Sequence, residues 1–210
     1  LGNAMPLDMV DTCLCMGAGL NIAQGVEKVE PDTTCFAFVG DSTFFASAIT
    51  GVVNAVYNQA NMVLIVLDNS TTAMTGHQPH PGTGHTVMGE IVQKINIEQV
   101  LRGIGVTEIE TINPLELEAS VSCVKRMAEK TGVRAIIFKA PCIAVTKPKA
   151  PLHVDQDSCI GCKKCIKELG CPAIVLNNGN VCIDSSMCTG CGLCSQVCPV
   201  TAITGGEDHE

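Results

Sequence analysis

Positive charge is scarce in this chain: 13 lysines and arginines stand against 21 aspartates and glutamates, a formal net charge of −8 at pH 7 over 210 residues. A surface of that sign repels a phosphate backbone or an anionic bilayer, so nucleic acid and membrane are excluded as partners and small molecules or other proteins remain. Long apolar runs are missing as well. Crossing a bilayer takes about 20 consecutive apolar residues, and no stretch of the sequence offers them. Nor does a positively charged segment lead into an apolar run near the start, so no export signal is read and the expected compartment is the cytoplasm. Hydrophobic residues still make up 46% of the chain, enough for one good core and a small accessory unit.

Cysteine is abundant, with 14 in all. That many thiols mean a disulfide scaffold, zinc, or iron-sulfur clusters. Nine of them lie between Cys159 and Cys198, behind a long α/β pattern, and a secreted disulfide protein is rarely built that way. Thiolates on tight turns suit metal in a reducing compartment.

The pattern before them alternates helix and strand. Residues 16–29 carry helical spacing, "TCFAFVG" at 34–40 is a short apolar strand, and the segment after it places Phe45, Ile49, Val52, Val53 and Val56 on one helix face. "MVLIVL" at 62–67 is a second, non-alternating strand. Further on, a helix is expected near 96–103, a strand near 106–112, a helix over 114–131 starting at Asn113 and Pro114 and stopping at Gly132, and a strand over 133–139. Apolar strands joined by helices predict a parallel sheet covered on both faces. The expected division is 1–145 for this α/β domain, 146–152 for a Pro- and Lys-containing linker, 153–205 for a sulfur-rich domain and 206–210 for a tail.

In "CIGCKKCIKELGCP" at 159–172, two-residue spacers turn Cys159, Cys162 and Cys165 toward one point, and a proline follows Cys171. "CTGCGLCSQVCP" at 188–199 repeats this with Cys188, Cys191, Cys194 and Cys198. The fourth thiolate of each run goes to the other cluster in such pairs. One cluster is therefore expected on Cys159, Cys162, Cys165 and Cys198, the second on Cys188, Cys191, Cys194 and Cys171. The pattern resembles the bacterial-type 2[4Fe-4S] ferredoxin domain; zinc is the other metal that thiolates at this spacing take. Five residues separate Cys165 from Cys171 where about three are usual, and a longer turn is expected to absorb them. Lys163, Lys164 and Lys167 read as a solvated face or a docking patch. Cys182 falls outside both groups and reads as a core thiol or a spare turn residue. Cys13, Cys15, Cys35, Cys123 and Cys142 read mostly as small buried hydrophobes, with Cys13 and Cys15 as candidates to line a site.

"GDS" at 40–42 and "DNST" at 68–71 each follow a strand, so both fall at the carboxyl edge of a parallel sheet, where ligands bind. Aspartate, asparagine and a backbone carbonyl there make an oxygen-rich site suited to magnesium and a diphosphate, and the helix beginning near Thr43 points its amides at the same anion. Spacing alone leaves "GDS" open as an ordinary turn. The irregular stretch 68–89, longer than a compact domain usually tolerates, points to function.

Gly40-Asp41-Ser42 followed by Asn69 is similar to the thiamine-diphosphate motif, with Ser42 where glycine is usual. "NSTTAMTGHQPHPGTG" at 69–84 and "VDTCLCMGAG" at 10–19 resemble the large subunit of the indolepyruvate (arylpyruvate):ferredoxin oxidoreductase family, as does the terminal two-cluster domain. The resemblance implies a thiamine-diphosphate-binding fold. It implies Mg2+ on the side chains of Asp41 and Asn69 and on the Thr71 carbonyl, and the diphosphate held beside Gly40 by Ser42 and Thr43. Thr75 and Gly76 shape the wall beside the cofactor. Among His77, His80 and His85, His77 is the first candidate for proton transfer or for the substrate carboxylate, and hydrogen bonding to loop carbonyls is the other reading.

The implied activity is oxidative decarboxylation of an aromatic 2-oxo acid to its acyl-coenzyme A, with electrons passing through two [4Fe-4S] clusters to an external ferredoxin. Pyruvate, a branched 2-oxo acid or an arylglyoxylate as substrate, or an electron carrier without its own catalysis, are the alternatives. The family's large subunit has an upstream region and works with a small β subunit. No counterpart of the cofactor-activating glutamate is found in this sequence, so the chain is expected to be a fragment or one piece of a split enzyme, inactive alone.

Overall fold

The computed structural model describes residues 2–205; Leu1 and the expected tail 206–210 lie outside the described residues. Contacts divide the chain into two compact units, Thr12–Val145 in one and residues from Thr146 onward with residues 2–11 in the other.

The first unit runs α1 (Ala18–Val29), β1 (Cys35–Gly40), a helical stretch in three pieces, β2 (Met62–Asp68), α4 (Ile97–Ile104), β3 (Glu108–Ile112), α5 (Leu117–Glu129) and β4 (Val133–Lys139). The three pieces are α2 (Asp41–Thr43), a π-helical turn (Phe44–Ala48) and α3 (Ile49–Tyr57). All strand pairs are parallel, in the order β1-β2-β4-β3. This is the parallel sheet flanked by helices that the sequence predicts.

The unbroken apolar runs explain the central strands. Leu64, Val66, Ala135 and Ile137 face a core with Leu20, Phe44, Val52 and Leu101, while Val63, Ile65 and Ile136 meet Cys123 and Met127 of α5 on the other face. Full burial of each Leu, Ile or Val is worth about 1.5–3 kcal/mol. Cover on both faces does not extend to β1: Phe36 and Phe38 are 36% and 59% exposed. β1 is an edge strand, and α5 packs over β2 and β4 instead. Helix α5 also starts later than Pro114 suggests. The Asn113 carboxamide oxygen accepts the Leu115 N–H at 3.0 Å, and the resulting turn delays the helix to Leu117. Asn96 caps α4 by accepting the Gln99 N–H at 3.0 Å.

In the second unit β5 (Leu152–Val154) pairs with β8 (Ile203–Gly205), and β6 (Ile174–Asn177) with β7 (Asn180–Ile183), all antiparallel. Two short helices, α6 (Lys164–Leu169) and α7 (Leu193–Val197), carry Cys165 and Cys194. Each is entered through a left-handed residue, Lys163 and Gly192, so the sequence repeat is a structural repeat. The extra residues before Cys171 lengthen α6 and end at Gly170, itself left-handed with φ 56°. A Cβ there would stand 3.4 Å from Leu7, so residues 6 and 7 lie against the end of α6. Among the described residues no helix is long and apolar enough to cross a membrane.

Candidate functional site

The register of β1 on β2 aligns Gly40 with Leu67, which brings the two strand tips side by side. Asp41 opens the helical stretch and is 2% exposed. Its Oδ1 accepts the Ser42 N–H at 2.8 Å and its Oδ2 accepts the Ser70 N–H at 2.8 Å. Asn69 Oδ1 accepts the N–H of buried Thr71 at 3.2 Å, and Thr72 Oγ1 donates to Ser42 Oγ at 3.0 Å. Residues 41–42 and 69–72, far apart in sequence, thus form one hydrogen-bonded junction. Ser42 takes helical dihedrals, so the position does not demand glycine.

Burial pushes the Asp41 carboxyl above the ordinary carboxylate range; the Ser42 amide and His80 oppose the rise, Asp68 adds to it and the Ser70 amide opposes it. An aspartate held in that state gains from a cation. Each carboxylate oxygen has two lone-pair positions, and Oδ1, with its one amide donor, keeps a position free. Asn69 Oδ1, also with one donor, keeps one too. These oxygens and the Thr71 carbonyl are a donor set of the kind a hard divalent ion takes.

His80, which spacing could not set apart from its neighbours, lies against Asp41. Its Nε2 is 3.2 Å from Asp41 Oδ2, with the side chains 5% and 3% exposed. Its Nδ1 accepts the Gly82 N–H at 3.1 Å, and its ring lies 5.7 Å from that of Phe45 in the π-helical turn. Such turns are frequent at functional sites. His77 and His85 are exposed instead. Thr75, Gly76 and His77 lie on a one-turn 3-10 segment and its exit, where the Thr75 hydroxyl donates to Gln78 Oε1 at 2.6 Å. Thr43 lies under the segment before α1: a Cβ on Gly17 would stand 3.7 Å from it. Cys13 and Cys15 in that segment are exposed, whereas Cys35 and Cys123 are buried and Cys142 half-buried. The expectation of buried thiols fails at positions 13 and 15 because the chain there runs over the surface as an irregular segment.

In the second unit one cavity is lined by Cys159, Cys162, Cys165 and Cys198 together with Ile160, Lys163 and Pro199. Burial raises the Cys165 thiol, and Cys162 and Cys198 add to the rise. Cys194 is pushed up to about 11, first by burial and then by Cys191, Cys188 and, less strongly, Cys171. The fourth cysteine of each run therefore lies in the electrostatic field of the other run's thiols. Bringing thiolates so close is unfavourable without metal, and iron would offset it. Among the described residues no three His, Cys, Asp or Glu side chains meet at the spacing of a single metal ion. In a cubane each thiolate binds a different iron, so its ligands do not converge on one atom. Lys163, expected on a solvated face or a docking patch, lines this cavity. Cys182, on β7, is half-buried outside both groups.

Residues 3–138 match the thiamine pyrophosphate enzyme, C-terminal TPP binding domain, and residues 152–204 match a 4Fe-4S dicluster domain. The indolepyruvate oxidoreductase subunit IorA of Archaeoglobus fulgidus is 39% identical over 209 residues, covering 97% of this chain and 33% of that protein. The subunit of the same name from Methanothermobacter thermautotrophicus is 40% identical over 205 residues, with the same two coverages. The chain thus spans about a third of the length of the curated relatives it matches. A solved structure of 2-oxoglutarate:ferredoxin oxidoreductase from Magnetococcus marinus superposes with a TM-score of 0.55 at 19% identity, over 62% of this chain and 47% of that one. At that identity the likeness is one of fold.

Proposed function

Because the chain belongs to the thiamine pyrophosphate enzyme family, carrying its C-terminal cofactor-binding domain ahead of a 4Fe-4S dicluster domain, we propose that it is the cofactor-binding and electron-exit part of a 2-oxoacid:ferredoxin oxidoreductase. The reaction is oxidative decarboxylation of a 2-oxo acid to its acyl-coenzyme A, with the electrons leaving to ferredoxin. The observation that carries this is the buried Asp41 carboxylate clamped to the 69–72 turn, in one chain with two groups of four cysteines.

Asp41, Asn69 and the Thr71 carbonyl hold Mg2+ in this proposal, with Gly40, Ser42, Thr43 and the first amides of the helical stretch at the diphosphate. Thr75 and Gly76 border the cofactor, and His77 takes the proton-transfer or substrate-carboxylate role. Thiamine diphosphate, when bound, supplies the carbanion chemistry that releases carbon dioxide. Two [4Fe-4S] clusters, one on Cys159, Cys162, Cys165 and Cys198 and one on Cys188, Cys191, Cys194 and Cys171, supply one-electron steps. The protein's own contribution is orientation, charge compensation at Asp41 and exclusion of water. Residues 1–145 serve the cofactor and 153–205 the clusters. A small β subunit, the upstream part of the large subunit and an external ferredoxin complete the enzyme, in the cytoplasm.

The finer proposal is an aromatic substrate, indolepyruvate, supported by the names of the relatives. Pyruvate, branched 2-oxo acids and arylglyoxylates are the competitors. Anaerobic reduction of a low-potential dye by the full-length subunit with its partner, supplied with Mg2+, thiamine diphosphate, coenzyme A and each acid in turn, tests both levels. Higher kcat/KM for indolepyruvate supports the finer reading, a preference for another acid replaces it, and no reduction with any acid overturns the enzyme.

A further inference from the structure

His80 is placed with more care than a loop histidine needs. Its Nδ1 accepts the Gly82 N–H at 3.1 Å, so in the neutral ring the proton sits on Nε2. That nitrogen is 3.2 Å from Asp41 Oδ2, near enough to attract but not aligned as a hydrogen bond, and it has no other partner although it is fully enclosed. The ring is held in place. Phe45 lies against one side, and a Cβ on Gly82 would fall 3.0 Å from His80 Cε1 and 3.1 Å from Phe45, so any larger residue there would press on both rings.

Asp41 Oδ2 accepts the Ser70 amide and has His80 Nε2 at 3.2 Å as an electrostatic neighbour, while Oδ1 has only the Ser42 amide. An Nε2 that carries a proton has no lone pair to offer a metal. We infer that His80 is a positioning residue for the divalent cation: it holds Asp41 Oδ2 so that Oδ1 is the oxygen presented to the ion. This rests on the reading of Asp41 as a cation ligand and adds to it the residue that orients the ligand.

The test is Mn2+ binding, followed by its electron paramagnetic resonance signal in the presence of thiamine diphosphate, to the full-length subunit assembled with its partner. His80→Leu keeps apolar volume against Phe45 and deletes the donor; His80→Gln keeps an N–H. The expected result is affinity weakened about 10–100-fold by His80→Leu, as for other residues that orient a metal ligand, and largely restored in His80→Gln, with far-UV circular dichroism unchanged. Equal affinity in the two variants, whether like the parent or equally weak, overturns the inference. Asp41→Asn separates the two levels: if it leaves Mn2+ affinity unchanged, the cation site itself is wrong, whereas lost binding in Asp41→Asn with no difference between the His80 variants removes only the role of His80.

Discussion

The Ser70 amide lies 2.8 Å from Asp41 Oδ2, joining the turn after β2 to the residue after β1. The bond fixes a buried carboxylate whose protonated form is favoured by burial. In the proposed account a bound cation compensates both that aspartate and the diphosphate. Adding Mg2+ and thiamine diphosphate together should therefore raise the thermal midpoint of the parent protein. A ligand at about 100 times its Kd adds about 2.7 kcal/mol. Asp41→Asn should lose that rise, and differential scanning calorimetry with and without the pair measures it.

The two sulfur-rich runs give an exchange prediction. Cys198→Ala and Cys171→Ala should each remove the cluster centred on the other run, leaving about four irons per chain instead of about eight. Cys182→Ala should leave iron unchanged. Iron and zinc analysis of the anaerobically purified proteins decides it; four-iron loss on Cys182→Ala, or stoichiometric zinc, would reject the ligand sets.

Glu110 lies 2.5 Å from Arg126, and its carboxyl is held below the usual glutamate value, first by the hydrogen bond from that guanidinium. A depressed folded-state pKa contributes stability that is present above the unfolded value of about 4.5 and is lost as pH falls through the lower, folded one. Arg126→Met should therefore lower the thermal midpoint near neutral pH by a small amount. The difference from the parent should shrink below pH 4.5, and thermal melts across the acid range measure it.

Gly17 has φ 86°, and a Cβ there would come within 2.5 Å of Ser47 Oγ, the hydroxyl that donates to the Met16 carbonyl at 3.3 Å. Gly17→Ala should destabilise the first unit by about 1–2 kcal/mol from the left-handed backbone alone. Adding Ser47→Ala, which removes the clashing hydroxyl and keeps a helix-compatible side chain, should recover the steric part and not the backbone part. Urea titration of the two variants separates them.

Local periodicity made the strands and helices of the first unit readable, since "MVLIVL" and its helical neighbours carry their burial in their own residues. The exposed face of β1 was not readable, because "TCFAFVG" is as apolar as a central strand and only the placement of α5 leaves Phe36 and Phe38 uncovered. Asp41 and Asn69 could be found because each follows a strand on its own terms. Sequence ranks His77 ahead of His80, since what selects His80 is the approach of Asp41 and Phe45 from another element. Sequence could have hinted at it only through Gly82, the small residue that lets the loop fold back on the ring.

The central claim is that electrons taken from a 2-oxo acid at the Asp41 site leave through clusters in this same chain. Rapid mixing of the oxidised, full-length assembly with a 2-oxo acid, while following the iron-sulfur absorbance and its electron paramagnetic resonance, tests it most directly. The account predicts bleaching of the clusters that requires thiamine diphosphate, is accelerated by coenzyme A and disappears in Asp41→Asn. Clusters that dithionite reduces but no 2-oxo acid does would contradict it.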